Sequence, residues 1–265
     1  MQNSSGLPEL IIGVLGGMGP LADIDFVNKL VSATPVVHER EYLRVLLDSN
    51  PKIPDRQRSI AAMSERMLSA DANPGPVLAD MARHLEHAGA TLLIMASNTA
   101  HAFEAYIRAA VSIPFVSIIE EACDAASRLT EPSRRVGILA TSGCLETCLY
   151  QRAMRRLDCE PILLTDHRQE CLMQLIHHIK LGRATDRSRE QMRLLAESLV
   201  DAGADVVIAG CTEIPLTLSG LPLSRPMIDA TDNLARRVVR YARHLEPLPA
   251  RSLPRAGGTC ESRAS

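Results

Sequence analysis

Residues 87–99 read "HAGATLLIMASNT", and residues 201–213 read "DAGADVVIAGCTE". In each, Ala-Gly-Ala closes a helical stretch, an aliphatic run follows as a buried strand, and the run ends on a small polar residue, Ser97 or Cys211. The spacing is the same, eight residues from Gly89 to Ser97 and eight from Gly203 to Cys211. Each copy then reaches a proline at the start of another strand, Pro114 in "IPFVSII" and Pro226 in "RPMIDA". Upstream, Gly13 opens "GVLGGMG" and Gly137 opens "GILATSG", each closing on a glycine six residues later, Gly19 and Gly143. Two halves on one plan predict two similar lobes, with Ser97 and Cys211 as equivalent strand ends facing each other across a cleft.

Working outward, eight short aliphatic runs alternate with longer amphipathic stretches: "LIIGVLG", "YLRVLLDS", "TLLIMAS", "PFVSII", "RVGILATS", "PILLT", "DVVIAG" and "PMIDA". That alternation is the mark of βα units and a mainly parallel sheet flanked by helices, so the fold class is α/β. Between the runs, Val77, Met81 and Leu85 recur on one face of a helix. The expected division is a first lobe over residues 1–116, completed by a C-terminal helix at 228–246, and a second lobe over 117–227. The tail 247–265, rich in Pro, Gly, Ser and Arg, is expected to be disordered.

Composition narrows the function. The 265 residues are 46% hydrophobic, ample for a core, and the formal net charge of -2 offers no attraction for nucleic acid or an anionic membrane. Three Phe, four Tyr and no Trp provide few stacking surfaces for bases. No apolar run approaches a membrane span, and the N-terminus lacks a basic signal-peptide start, so a cytoplasmic protein is expected. Seven cysteines without a CxxC pair do not resemble a disulfide framework, so most are expected to be reduced, and Cys144 and Cys148, four apart in an expected helix, lack further metal ligands nearby. Only Lys29, Lys52 and Lys180 are lysine, which argues against Schiff-base chemistry.

Four stretches carry chemistry. "LGGMGPLADIDF" joins a strand to a helix, and Gly16, Gly17 and Gly19 let backbone amides approach a carboxylate or phosphate. Gly17, Gly19 and Ala22 also fit the GxGxxA form of a dinucleotide turn, but the expected acidic residue is misplaced, Asp48 lying 29 residues beyond Gly19. "DSNPKIPDRQRSI" carries Arg56 in a loop stiffened by two prolines, suited to bidentate carboxylate binding or simply solvated. Lys180 stands in the last turn of a helix before Gly182, where capping alone explains it. Cys211 follows Gly210 at a strand end; a reactive thiol there needs a pKa depressed by amides, a cation or the helix start in "CTEIPL". His84, His87 and His101 read as helix residues, and no hydrolytic triad is spaced out.

Together "GVLGGMGPLA", "NPKIPDR", "SNTAH" and "GCTEIPL", in this order, resemble the aspartate/glutamate racemase family over about Ile11 to Ala242. The resemblance implies two pseudo-symmetric lobes with substrate between them, no pyridoxal phosphate, metal or nucleotide, and a homodimer. It implies two cysteines flanking the α-carbon, one abstracting the proton and the other returning one to the opposite face. Carried over by motif, Cys211 is a base, while Asn98, Thr99 and Thr212 bond the α-amino and α-carboxylate groups. Arg56 and Lys180 would hold a side-chain carboxylate, and Met18 and Thr141 complete the substrate-binding set.

The departure is Ser97, where the family has cysteine. A hydroxyl is a far weaker acid than a thiol, which points to a racemase of aspartate or glutamate driven mainly from Cys211; the resemblance implies that the enantiomer handled well is the L form. One-sided chemistry like that of arylmalonate decarboxylases, or an inactive dicarboxylate-binding protein, would share the motifs. A nicotinamide-dependent oxidoreductase would rest on GxGxxA alone.

Overall fold

The computed structural model describes residues 9–130 and 133–249. The expectation for the tail from residue 250 onward, like the signal-peptide reading of residues 1–8, lies outside the described residues. The chain divides into two compact units: one runs to Ile118 and resumes at Leu234, the other is Ile119–Asn233.

In the first unit, β1 (Ile12–Gly16), α1 (Pro20–Ala33), β2 (Val45–Ser49), α2 (Arg56–Ser64), α3 (Pro74–His87), β3 (Leu92–Met95), α4 (Glu104–Ala110) and β4 (Phe115–Val116) follow in order. The strands form one parallel sheet, β2-β1-β3-β4, with Ile12 paired to Val45 on one side and to Leu92 on the other. The central strands β1 and β3 are buried throughout, as continuous aliphatic runs require, while the edge strand β2 is half exposed.

After α5 (Ile118–Ser127), the second unit has β5 (Arg135–Ala140), α6 (Ser142–Glu146), α7 (Leu149–Arg156), β6 (Glu160–Ile162), α8 (Asp166–Lys180), α9 (Asp186–Asp201), β7 (Val206–Gly210), α10 (Glu213–Leu218) and β8 (Met227–Asp229). Its sheet, β6-β5-β7-β8, is again parallel, with Val136 opposite Val206 and Val207 opposite Met227. The helix α11 (Ala230–Ala242) follows.

The repeat has a physical basis. Gly89 and Gly203 both adopt φ 98, the left-handed conformation that ends a helix. The next amides reach back five residues, Ala90 to Leu85 O and Ala204 to Leu199 O, each at 3.0 Å. Thr91 then bonds Ile11 O, and Asp205 bonds Arg135 O, both at 2.9 Å, which sets both strands in equivalent register. Beneath each turn the neighbouring strand needs a glycine. A Cβ on Gly13 would lie 2.9 Å from Ala90 Cβ and 2.6 Å from Leu93 Cδ2; one on Gly137 would lie 3.1 Å from Ala204 Cβ and 2.9 Å from Leu199 Cβ.

Two details differ from the sequence reading. Gly19 caps α1 in extended conformation, whereas Gly143 is buried inside α6, so the closing glycines of the repeat are not equivalent. Cys144 and Cys148 do not share a helix, because Cys148 has φ 53 and breaks the chain between α6 and α7.

Candidate active site

In the first unit, β1 delivers the glycine loop. A Cβ on Gly16 would meet the Asp23 carboxylate at 2.5 Å, and Gly17, at φ 89, would drive one into the Asn50 backbone at 2.2 Å. Pro20 opens α1, where its missing N–H costs nothing. The loop is less available to an anion than the sequence suggested. The Gly17 amide donates to Asp23 Oδ2 at 2.7 Å, and Ser49 Oγ donates to the same oxygen at 2.6 Å. Burial raises the Asp23 pKa above the usual carboxylate range, partly offset by those hydrogen bonds. An internal carboxylate therefore occupies an amide expected to face ligand, which also counts against a pyrophosphate in the GxGxxA turn.

Arg56 and Met18 come together. Asp55 caps α2 by accepting the Arg58 amide at 3.0 Å, which places Arg56 at the first helical position. The Arg56 guanidinium donates to Ile53 O at 3.3 Å, Pro54 O at 3.2 Å and Met18 O at 3.4 Å. These three bonds to main-chain carbonyls, two from Nη1 and one from Nη2, hold the guanidinium in place. Burial pushes its pKa down, against the raising effect of Asp55.

Ser97 lies two residues past the end of β3, half-buried, and is followed by buried Asn98 and by Thr99, which begins a 3-10 turn, Thr99–Phe103. The helix α2 that bears Arg56 packs against this turn. His101, in the same turn, is buried, with Nδ1 2.7 Å from Ser97 O.

In the second unit, Cys211 directly follows β7 and Thr141 directly follows β5, after the paired residues Gly210 and Ala140, so the two stand on adjacent strand ends. Cys211 is buried, and its Sγ–H donates to Glu213 Oε2 at 2.9 Å. Thr212 Oγ1 donates to the same oxygen at 3.0 Å, and Lys180 Nζ lies 3.9 Å from Glu213 Oε1. Lys180 ends α8; Gly182, at φ 72, turns the chain, with the Arg183 amide returning to His178 O at 3.1 Å. Its ammonium is half exposed and directed to Glu213.

The depressed pKa that a reactive thiol would need is not what this environment provides. Burial pushes the Cys211 pKa well up, the Glu213 charge and hydrogen bond add to the rise, and Lys180 opposes it. The cysteine rests as a thiol with a carboxylate acceptor in place. Glu213 stood inside "GCTEIPL", two residues past the cysteine, and that i, i+2 spacing at a helix start was the signal missed. Register makes Ser97 the counterpart of Cys211, because Leu92 and Val206 hold equivalent pairings with Ile12 and Val136. Thr99 is then the counterpart of Glu213, and it has no carboxylate. Among the described residues, no group of three or more His, Cys, Asp and Glu is placed to hold a metal ion. No helix among them is long and apolar enough to cross a membrane.

Comparison with known proteins bears on this arrangement. Residues 15–238 match the family model described as Asp/Glu/Hydantoin racemase. The chain belongs to that family. It is 30% identical over 250 residues to a glutamate racemase of Roseiflexus sp. (strain RS-1), covering 91% of this chain and 81% of the relative. It is 24% identical to a broad specificity amino-acid racemase of Bacillus subtilis (strain 168), over 86% of this chain and 96% of the relative. Among solved structures, the Picrophilus torridus aspartate racemase superposes with a TM-score of 0.74 at 27% identity, covering 88% of this chain and 94% of that one. The protein is thus an isomerase of the amino-acid racemase class with the family's two-sheet α/β fold.

Proposed function

We propose that this racemase acts on an acidic amino acid, aspartate or glutamate, without a cofactor, using Cys211 as its main base and Ser97 as a weaker second proton-transfer group. The observation that carries the reading is the Cys211–Glu213 pair. Abstraction begins when the thiol proton passes to Glu213, leaving a thiolate and a carboxylic acid. An α-ammonium brought in by substrate favours that thiolate, offsetting the penalty of burial. The thiolate removes the α-proton, the electron pair delocalises into the α-carboxylate, and a proton relayed from water through the Ser97 hydroxyl completes inversion, the hydroxide left behind being neutralised by the proton that Glu213 releases. A return from Cys211 restores the starting enantiomer. Asn98, Thr99, Thr141 and Thr212 are assigned to the substrate's α-groups, Arg56 and Lys180 to its side-chain carboxylate, with Met18 packing beside it.

The unequal partners, carboxylate-backed Cys211 against Ser97, favour a second reading in which the same cysteine performs one-sided chemistry on a dicarboxylic acid. Proton NMR in deuterium oxide with L- and D-aspartate and L- and D-glutamate, beside chiral chromatography, separates the two. Fast α-proton loss from one enantiomer with slow inversion supports the racemase. No exchange from any of the four, with unchanged spectra after Cys211→Ala, overturns it in favour of the one-sided reading or of a dicarboxylate-binding protein without turnover.

A further inference from the structure

We propose that His101 is a positioning residue that aligns Ser97 for proton transfer, an inference resting on the racemase reading above. A carbonyl only accepts hydrogen bonds, so the 2.7 Å contact between Nδ1 and Ser97 O requires a proton on Nδ1. The Ile118 amide only donates, and it meets Nε2 at 3.3 Å, so Nε2 carries none. Both bonds are satisfied together by one species, the neutral Nδ1–H tautomer. The ring leans on Phe115, with centroids 5.5 Å apart at 41°. Phe115 is itself held by Arg108, whose guanidinium lies 5.0 Å over its ring while Nη1 donates to Phe115 O at 3.2 Å. The imidazole thus clasps the residue past β3 to the first residue of α5.

The second unit lacks this device. By the register of the two sheets, the counterpart of His101 is Pro215, and the Cys211 carbonyl accepts instead from the Ile214 amide at 3.1 Å. One strand end is held by its own following turn; the other is held by a side chain. Fixing the Ser97 carbonyl fixes the peptide plane that holds its Cα, and so the direction of the Cα–Cβ bond about which χ1 sets Oγ. A weak acid tolerates misplacement poorly: an error of about 1 Å costs on the order of 100-fold in rate.

The test separates two rates from the same enantiomer, α-proton wash-out with retention, which needs Cys211 alone, and inversion, which also needs Ser97. His101→Leu is expected to slow inversion at least tenfold and to leave wash-out within twofold. His101→Asn, whose amide can donate to the same carbonyl, is expected to recover inversion to within about threefold of the parent. His101→Ala replaces the leucine variant if that fails to fold, with the same expectation. Nitrogen-15 NMR of the unaltered protein should report Nδ1 protonated and Nε2 bare, and the opposite tautomer overturns the proposal without any substitution. Wash-out and inversion falling together in a folded variant overturn it while the racemase reading stands. Absence of both rates in the unaltered protein overturns the two together.

Discussion

Replacing Glu213 by glutamine keeps an oxygen that can accept from Cys211 and Thr212 but removes the charge and the capacity to take a proton. Two effects of opposite sign follow. The thiolate of Cys211 loses a repelling carboxylate that helps hold its pKa up, while Lys180 remains on that side. Cys211 should therefore react faster with iodoacetamide at a fixed pH near neutrality, and its labelling midpoint should move to lower pH. Turnover should move the other way, because the group 2.9 Å from Sγ can still accept a hydrogen bond but can no longer take the thiol proton. Removing a positioned general base costs about 10²–10⁴-fold, and the lower end corresponds to about 2.7 kcal/mol of barrier. Stability should change little: Lys180 is half exposed, and such an ion pair is worth about 0–1 kcal/mol. The assay pairs site-resolved mass spectrometry of alkylation with α-proton wash-out in deuterium oxide. Wash-out within twofold of the parent would show that the proton leaves by another route. Slower labelling in a folded variant would show that the carboxylate is not what raises the thiol.

Ser97→Cys is expected to raise inversion at least tenfold, about 1.4 kcal/mol of barrier, with unchanged thermal stability; chiral chromatography from the slower enantiomer reads it. Gly137→Ala forces a Cβ to 2.9 Å from Leu199 Cβ and should destabilise the fold by about 1–3 kcal/mol, measured by denaturant unfolding. Gly13→Ala should cost a similar amount, because its Cβ would meet Ala90 and Leu85, the counterparts of Ala204 and Leu199, and Leu93 besides. Stability should also fall as pH rises past about 9, the ordinary thiol value, because Cys144 is pushed by burial up to about 12 and stays protonated in the fold while the unfolded chain ionises. Cys144→Ala should lessen that alkaline decline in a pH series of unfolding curves, the remainder coming from Cys123, Tyr150 and Cys211, which burial also pushes up.

The strands and their order of appearance were legible because each is a local run with its own punctuation. "HAGATLLIMAS" contains its helix stop, its left-handed glycine and its apolar strand within one short stretch. The same reading failed where meaning depended on a partner. Gly143 looked like Gly19 because spacing alone cannot tell a helix cap from a buried helical glycine. Cys144 and Cys148 looked like one helix face until the left-handed turn at Cys148 separated them. The glycine loop looked open to anions because Asp23, six residues on, carries no sequence mark that it folds back onto Gly17.

The sequence by itself determined two α/β halves on one plan and placed Ser97 and Cys211 at matching strand ends, because strand period, helix stops and glycine need are properties of neighbours along the chain. Tertiary structure decided the states of the groups found there. Burial and Glu213 keep the Cys211 proton on sulfur, Asp23 takes the Gly17 amide, and Ile118 selects the tautomer of His101. Protonation and hydrogen bonding are set by which atoms lie within about 3 Å in a poorly solvated place, and folding alone brings residues 101 and 118 to that distance.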